Sequence, residues 1–397
     1  MASEMLIPMF SIAERTRRWA KVRALMADAR LDCLVGFPNQ GRFEQLQANT
    51  RYLIQIGGFQ TEVAVVFPLE GETTAIVQTP RDIDWWSKAQ NWMTDLRPSR
   101  RRWSDMVVAR LKELGATARR VGVIGLKGLV RAPEGVVPWQ MFENLRGALP
   151  STEFVDATQL LLTARAVKSA EEIVFIENAE RIGEAAVEAL LRTARPGVAE
   201  NVVYAAMVET MISRGGELPT MIYWGAGQGP TGAHLYPSSR KLQAGDQLHN
   251  EIEAKWGGYI AQVSAPAVIG AVSAEERALH RAALEIFEGL CSAIRPKVPL
   301  RTVGQIYQRM AKDVGLKPTS WPFHGRGLGD DLPVMPSGGT ETDAVFEEGN
   351  VLILKPGVVA PNGSELAAAR AGDTVVVSAN GARRLGRRSL DITEIAV

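Results

Sequence analysis

A chain of 397 residues exceeds the roughly 250–300 residues that one hydrophobic core sustains, so two domains are expected. With 45 Lys and Arg against 44 Asp and Glu, the formal charge of +1 supplies no field for nucleic acid or an anionic membrane, and a small-molecule partner is the better expectation. No run reaches the about 18–20 apolar residues that span a bilayer, the start "MASEMLIPMFSIAERTRRW" lacks a secretion signal, and Cys33 and Cys291 read as free thiols, so a cytoplasmic protein is expected.

In chain order, residues 13–30 repeat apolar side chains at helical spacing and lead into the strand-like "DCLVGF". Residues 49–78 read as strands joined by a Gly-Glu turn, and "RWSDMVVARLKELG" followed by "RRVGVIGL" reads as helix then strand. This alternation predicts an α/β domain over residues 1–158. Within it, the Trp-rich "DIDWWSKAQNWMTD" (82–95) suits a dimer contact or a lid over a site.

Residues 168–195 form a long amphipathic pattern that opens on Ser169 and Glu172, a capping-box spacing, and stops at Pro196-Gly197. The device recurs: residues 189–207 and 289–310 both read helix, Arg-Pro-x-Val, helix. We read this as an internal repeat, two α/β halves filling 159–397 with a crevice between them as the natural place for a site.

Four histidines are present, and each can be weighed. His280 lies in the charged helical stretch "AEERALHRAAL" and reads as a surface residue. His249 opens a strand and, by its period of two, faces away from Asn250. His234, in the loop "GQGPTGAHLYPSSRKLQAGD", has no obvious packing role. His324, in "WPFHGRGLGDDLP", sits among glycines that let backbone approach a ligand. Those last two are the candidates for chemistry, with Asp330 and Asp331 read as a solvated turn. Trp224, Trp256 and Trp321 flank these motifs, either as aromatic walls or as core.

The segments "RYLIQIGGF", "ARAVKSAEEIVFIENAERIGEAAVEALL", "RPGVAENVV", "GAHLYPSSRKLQAGD", "GGYIAQVSAPAVIG", "FHGRGLG", "FEEGNVLILKPGV" and "GDTVVVSANGARRL" follow in the order seen in one family. The chain resembles the creatinase, prolidase and methionine aminopeptidase superfamily with its pita-bread fold. The resemblance implies an N-terminal creatinase-like α/β domain, a C-terminal pita-bread domain of two pseudo-symmetric α/β halves, and a homodimer.

Peptidases of that superfamily hold two metal ions with Asp, Asp, His, Glu and Glu. By resemblance those positions fall on Glu251, Gln262, His324, Lys355 and Gly372. Two divalent cations would then meet one carboxylate and a resident ammonium, a repulsion of several kcal/mol at low effective dielectric. No metal and no cofactor are therefore expected, and Lys355 is expected to pair with Glu251.

Creatinase, the metal-free enzyme of the superfamily, is the nearest type. Its histidine in the Gly-Ala-His loop is a general acid/base, which implies that role for His234, with His324 orienting it or the substrate. The glutamates that clamp its guanidinium fall on Ser264 and Lys355 here, which argues against creatine. Ligand contacts are expected from Arg326, Tyr259, Gln262, Asn250 and Trp321, with Lys355 and Glu251 in the catalytic group. Three readings result: a metal-independent hydrolase of a small molecule's C–N bond, a metal-free lyase using Lys355, and a non-catalytic binding protein.

Overall fold

A computed structural model describes residues 6–38, 45–59, 61–115, 119–228, 236–319, 321–334, 343–363 and 367–397. The chain divides into two compact units, residues 1–166 with 328–330, and residues 167–327 with 331–397. Among the described residues no helix is long and apolar enough to cross a membrane.

The first unit runs α1 (Ile12–Asp28), β1 (Cys33–Gly36), α2 (Gln45–Ile54), β2 (Val63–Pro68), β3 (Thr74–Val77), α3 (Pro80–Ala89), β4 (Asp95–Pro98), α4 (Trp103–Glu113), β5 (Arg120–Ile124), α5 (Trp139–Ala148), β6 (Glu153–Asp156) and α6 (Thr158–Ala166). Its six strands form one mixed sheet in the order β4-β3-β2-β1-β5-β6. Strands β1, β2 and β3 are buried along their whole length, which is why they read as continuous apolar runs rather than as alternation. Helix α1 starts where the Ser11 side chain accepts from the Glu14 amide, and it buries Arg18, Val22 and Met26 at helical spacing.

Arg18 is fully buried, with its charge met by a carboxylate and aromatic rings. Glu14 accepts from its Nε at 2.7 Å, and its guanidinium lies 4.2, 4.7 and 5.3 Å from the rings of Phe10, Tyr52 and Trp92. Trp92 and Trp86 of the Trp-rich stretch are thus core residues of this unit, and only Trp85 is exposed. Two of the three tryptophans of that stretch therefore serve packing, and Trp85 is the aromatic residue it leaves on the surface.

The second unit contains α7 (Ala170–Thr193), α8 (Glu200–Ser213), β7 (Ile222–Gly227), β8 (Gln247–Trp256), β9 (Tyr259–Val263), β10 (Ala267–Ile269), α9 (Ala274–Ala293), α10 (Leu300–Asp313), β11 (Lys317–Pro318), β12 (Phe323–Gly325), β13 (Val351–Leu354), β14 (Gly357–Val359), β15 (Ala369–Arg370), β16 (Asp373–Ser378), β17 (Gly381–Arg384) and β18 (Thr393–Ile395). The repeat read from the Arg-Pro pairs is present in three dimensions. Capping boxes at Ser169/Glu172 and Ser273/Glu276 start α7 and α9. After each helix the chain makes the same bonds: Gly197 N to Leu242 O and Lys297 N to Phe346 O, both 2.8 Å, then Glu200 N to Arg240 O and Leu300 N to Ala344 O, both 3.0 Å. The turn needs a left-handed residue, which is Gly197 (φ +86°) in the first half and Lys297 (φ +69°) in the second.

Each half has its own core. Helices α7 and α8 cover the β18-β10-β8-β7 sheet, with β9 on β8, through residues such as Leu190, Met207, Trp224 and Ile252. Helices α9 and α10 cover the β12-β13-β16-β17 sheet through Phe287, Leu290, Tyr307 and Leu354. The halves are stitched at β9 and β16, where Gln262 N donates to Thr374 Oγ1 at 3.0 Å and that hydroxyl donates back to Gln262 O at 3.2 Å.

Candidate active site

The hairpin β8–β9 turns through Gly257-Gly258, both with positive φ, in the two-residue form that matches strand twist. Its register sets Glu253 opposite Gln262. Side chains two apart on a strand share a face, so His249, Glu251 and Glu253 point the same way. Asn250, on the other face, fills the gap between β9 and β10: its Oδ1 accepts from Ala265 N at 2.8 Å and its Nδ2 donates to Ala265 O at 2.7 Å.

Three more side chains converge on that acidic face. Arg326, fully buried just past β12, donates through Nη2 to Glu253 Oε1. Gln262 Nε2 bridges Glu253 Oε1 at 3.2 Å and Glu251 Oε2 at 3.4 Å. Lys355 leaves the end of β13 anchored by its amide on Pro322 O, and its Nζ donates to Glu251 Oε2 at 2.7 Å. The row Arg326, Glu253, Gln262, Glu251, Lys355 thus carries a cation at each end, two carboxylates within and a neutral amide at its centre, and sums to zero. A charged row that runs from the interior to a partly exposed end is tolerable because each carboxylate meets a cation.

The residues present do not fit a pair of divalent ions. Lys355 already holds Glu251, and an ion there would face its ammonium. A Cβ on Gly372 would sit 2.7 Å from Lys355 Cβ, so no carboxylate can occupy position 372 while Lys355 stands where it does. Among the described residues no group of three His, Cys, Asp or Glu is arranged to hold a metal.

A cleft of about 550 Å³ opens on this row, lined by Glu251, Lys355, His249, Ser264 and Arg370 and walled by apolar groups such as Leu248, Val268 and Val359. Burial first, and then the nearby Arg370 charge, push the His249 imidazole below its usual value, which favours the neutral ring.

The structure brings Glu251, Gln262, Lys355 and Arg326 together, whereas His324, Tyr259 and Trp321 do not line the cleft. His234 lies outside the described residues. His324 is on β12 with Nδ1 3.2 Å from Gly325 O, and it is not among the residues that line the cleft. Arg326 is committed to Glu253 rather than open to a ligand. Asn250 contributes to the cleft wall while its amide is spent on Ala265. Tyr259 turns into the core, donating from its hydroxyl to Glu172 Oε1 at 2.6 Å beside Phe175, because a strand buried on both faces leaves it no route to the cleft. Trp321 packs on the core of the second half and lies outside the cleft lining.

Other readings are corrected too. His280 is buried, its Nε2 2.7 Å from Leu390 O, because its position on α9 turns inward, where it helps to line the cleft. Asp330 and Asp331 are buried, and Asp331 Oδ2 meets Lys168 Nζ at 2.8 Å in place of solvent. Trp224 and Trp256 are packing residues: the first donates to Glu200 at 3.0 Å, and the second stacks edge-on against Phe175 at 4.6 Å. Sequence reasoning gave Glu253 no role and missed Arg370. The first could have been found from its spacing of two from Glu251, whereas nothing local marked the second.

Two family models match. Residues 175–379 match metallopeptidase family M24, and residues 18–167 match the creatinase/prolidase N-terminal domain. The chain is 26% identical to the Xaa-Pro dipeptidase of Pyrococcus furiosus over 262 residues, 65% of this chain and 74% of that one. To the creatinase of Bacillus sp. strain B-0618 it is 25% identical over 401 residues, covering 96% and 92%. The solved prolidase from Pyrococcus horikoshii OT3 superposes with a TM-score of 0.75 at 19% identity over 94% of this chain and 99% of that one, a likeness of fold. Since the first model alone spans more than half of the chain, the protein belongs to metallopeptidase family M24, within the creatinase/prolidase pita-bread superfamily.

Proposed function

We propose that this protein is a metal-independent hydrolase of the creatinase type that cleaves a C–N bond of a small molecule. The observation that carries the reading is Lys355 Nζ, 2.7 Å from Glu251: an ammonium stands where a metallopeptidase would need cation-free carboxylates. His234 enters on its loop sequence, Gly-Ala-His, as the general acid/base. A neutral imidazole would take a proton from water as the hydroxide adds to the substrate carbon, then pass that proton to the departing nitrogen. The Glu251–Lys355 pair supplies a fixed dipole in the cleft wall.

Creatine is disfavoured as substrate, because its guanidinium would meet Lys355 and Arg370 in the cleft. The likeness to Xaa-Pro dipeptidases makes peptide hydrolysis the competing reading. The same assay tests both: chelator-dialysed protein is offered small amides, ureido acids and Xaa-Pro dipeptides, with and without added manganese, cobalt or zinc. The proposal expects metal-free turnover of the non-peptides that is lost in His234→Ala. Cleavage of Xaa-Pro dipeptides that appears only with metal would overturn it. A cytoplasmic homodimer belongs to the same proposal, to be checked by sedimentation.

A further inference from the structure

The charged groups of the cleft are not equally matched. Glu251 is paired with Lys355, and Glu276 accepts from the amide and hydroxyl of Ser273 at 2.8 and 2.6 Å in the cap of α9. Arg370 has neither a hydrogen bond nor an ion pair with any described residue, although it is half-buried in the same wall. Its position is built: β15 pairs Arg370 with Gly357, and a Cβ on Gly357 would lie 3.0 Å from Arg370 Cγ and 3.2 Å from Nε, so the missing side chain makes room for the arginine stem. His249 adds a second open group. Its Nε2 is buried without a hydrogen-bond partner among the described residues, and its ring lines the cleft from β8.

We propose that the cleft receives a small monocarboxylate with an apolar body, its anionic group held by Arg370 and His249. A half-desolvated guanidinium is stabilised by an anion, and its planar fork matches the two oxygens of a carboxylate. A neutral imidazole protonated on Nε2 donates a further hydrogen bond. The apolar walls at Leu248, Val268, Leu279, Val359 and Ile392 then take the rest of the molecule out of water. A phosphate suits the cleft less well: Glu275 and Glu276 in the first turn of α9 repel a dianion, and Ser273 already caps that helix.

The inference rests on the proposed function in that it names the substrate class of the same cleft, but it is tested by binding alone. Calorimetric titrations of the full chain in the presence of chelator would use 3-phenylpropionate and its neutral isostere 3-phenylpropionamide. The carboxylate is expected to bind at least tenfold more tightly than the amide. Arg370→Gln should weaken carboxylate binding at least tenfold and amide binding less than twofold, with His249→Asn causing a smaller, several-fold loss. Equal affinity for the two probes, or no binding of the carboxylate at millimolar concentration, would overturn the proposal. If Arg370→Gln does not fold, the comparison of probes on the unaltered chain still decides, and Arg370→Lys, which keeps the charge and loses the fork, should fall between. Hydrolysis can fail while this selectivity stands, so the two readings are separable.

Discussion

The Glu251–Lys355 pair can be weighed by a double-mutant cycle built from Glu251→Gln, Lys355→Met and the pair of changes together. The side chains are 23% and 19% exposed, which puts the pair between surface and interior. At an effective dielectric of about 20, unit charges about 4 Å apart attract by about 4 kcal/mol before desolvation and side-chain ordering are subtracted. A hydrogen bond to a charged group nets about 1.5–3 kcal/mol. Either single change strands a partly buried charge, so each should cost about 2 kcal/mol, whereas the double variant strands none and should cost clearly less than the sum. The expected coupling is about 1–2 kcal/mol, read by urea denaturation under conditions where the second unit unfolds reversibly. Costs that add to within about 0.5 kcal/mol would show that the 2.7 Å contact carries no energy and would refute the argument that Lys355 neutralises this face.

Three further outcomes follow from the same geometry. Manganese, cobalt or zinc should leave thermal unfolding unchanged, since an ion bound at a hundredfold its dissociation constant would add about 2.7 kcal/mol and move the transition by several degrees. Gly372→Ala should destabilise the second unit by about 1–3 kcal/mol, because its Cβ would press on Lys355 Cβ at 2.7 Å; a cost below about 0.5 kcal/mol in denaturant titration contradicts that packing. Glu180 is buried against Asp373, and burial, then the Asp373 charge, push its carboxyl well above the unfolded value of 4.5. The folded state therefore keeps a proton that the unfolded chain releases, so this group's contribution to stability is full below pH 4.5 and is lost as pH rises toward the folded value. Glu180→Gln should remove that dependence, gaining on the parent protein with rising pH; a difference constant between about pH 5 and 8 would contradict it.

Short-range pattern made much of this legible in advance. Capping boxes at Ser169 and Ser273, the two Arg-Pro stops and the apolar strands depend on residues within a few positions of each other, so their physics is visible along the chain. The spacing of eleven between Glu251 and Gln262 likewise survives because one hairpin carries both. What misled was facing. His280 lies on a charged helix, yet its one side chain turns inward. Tyr259 and Trp321 are residue types common in binding sites, yet both pack in cores. Periodicity identifies a face, but only the neighbouring element decides whether that face meets solvent, core or cleft.

The sequence by itself determined the two α/β units and the repeated halves, because each is a matter of residue identity or local spacing, whereas the expectation that Gln262, Lys355 and Gly372 stand at metal-ligand positions came from the family resemblance. Only the tertiary structure decided which charges meet. Lys355 reaches Glu251 across 104 positions, Arg326 reaches Glu253 across 73, and Arg370 comes to the same cleft as His249 from a two-residue strand. Pairing of charges depends on distance in space, which is set when the sheets of the two halves are packed together, and no spacing along the chain encodes it.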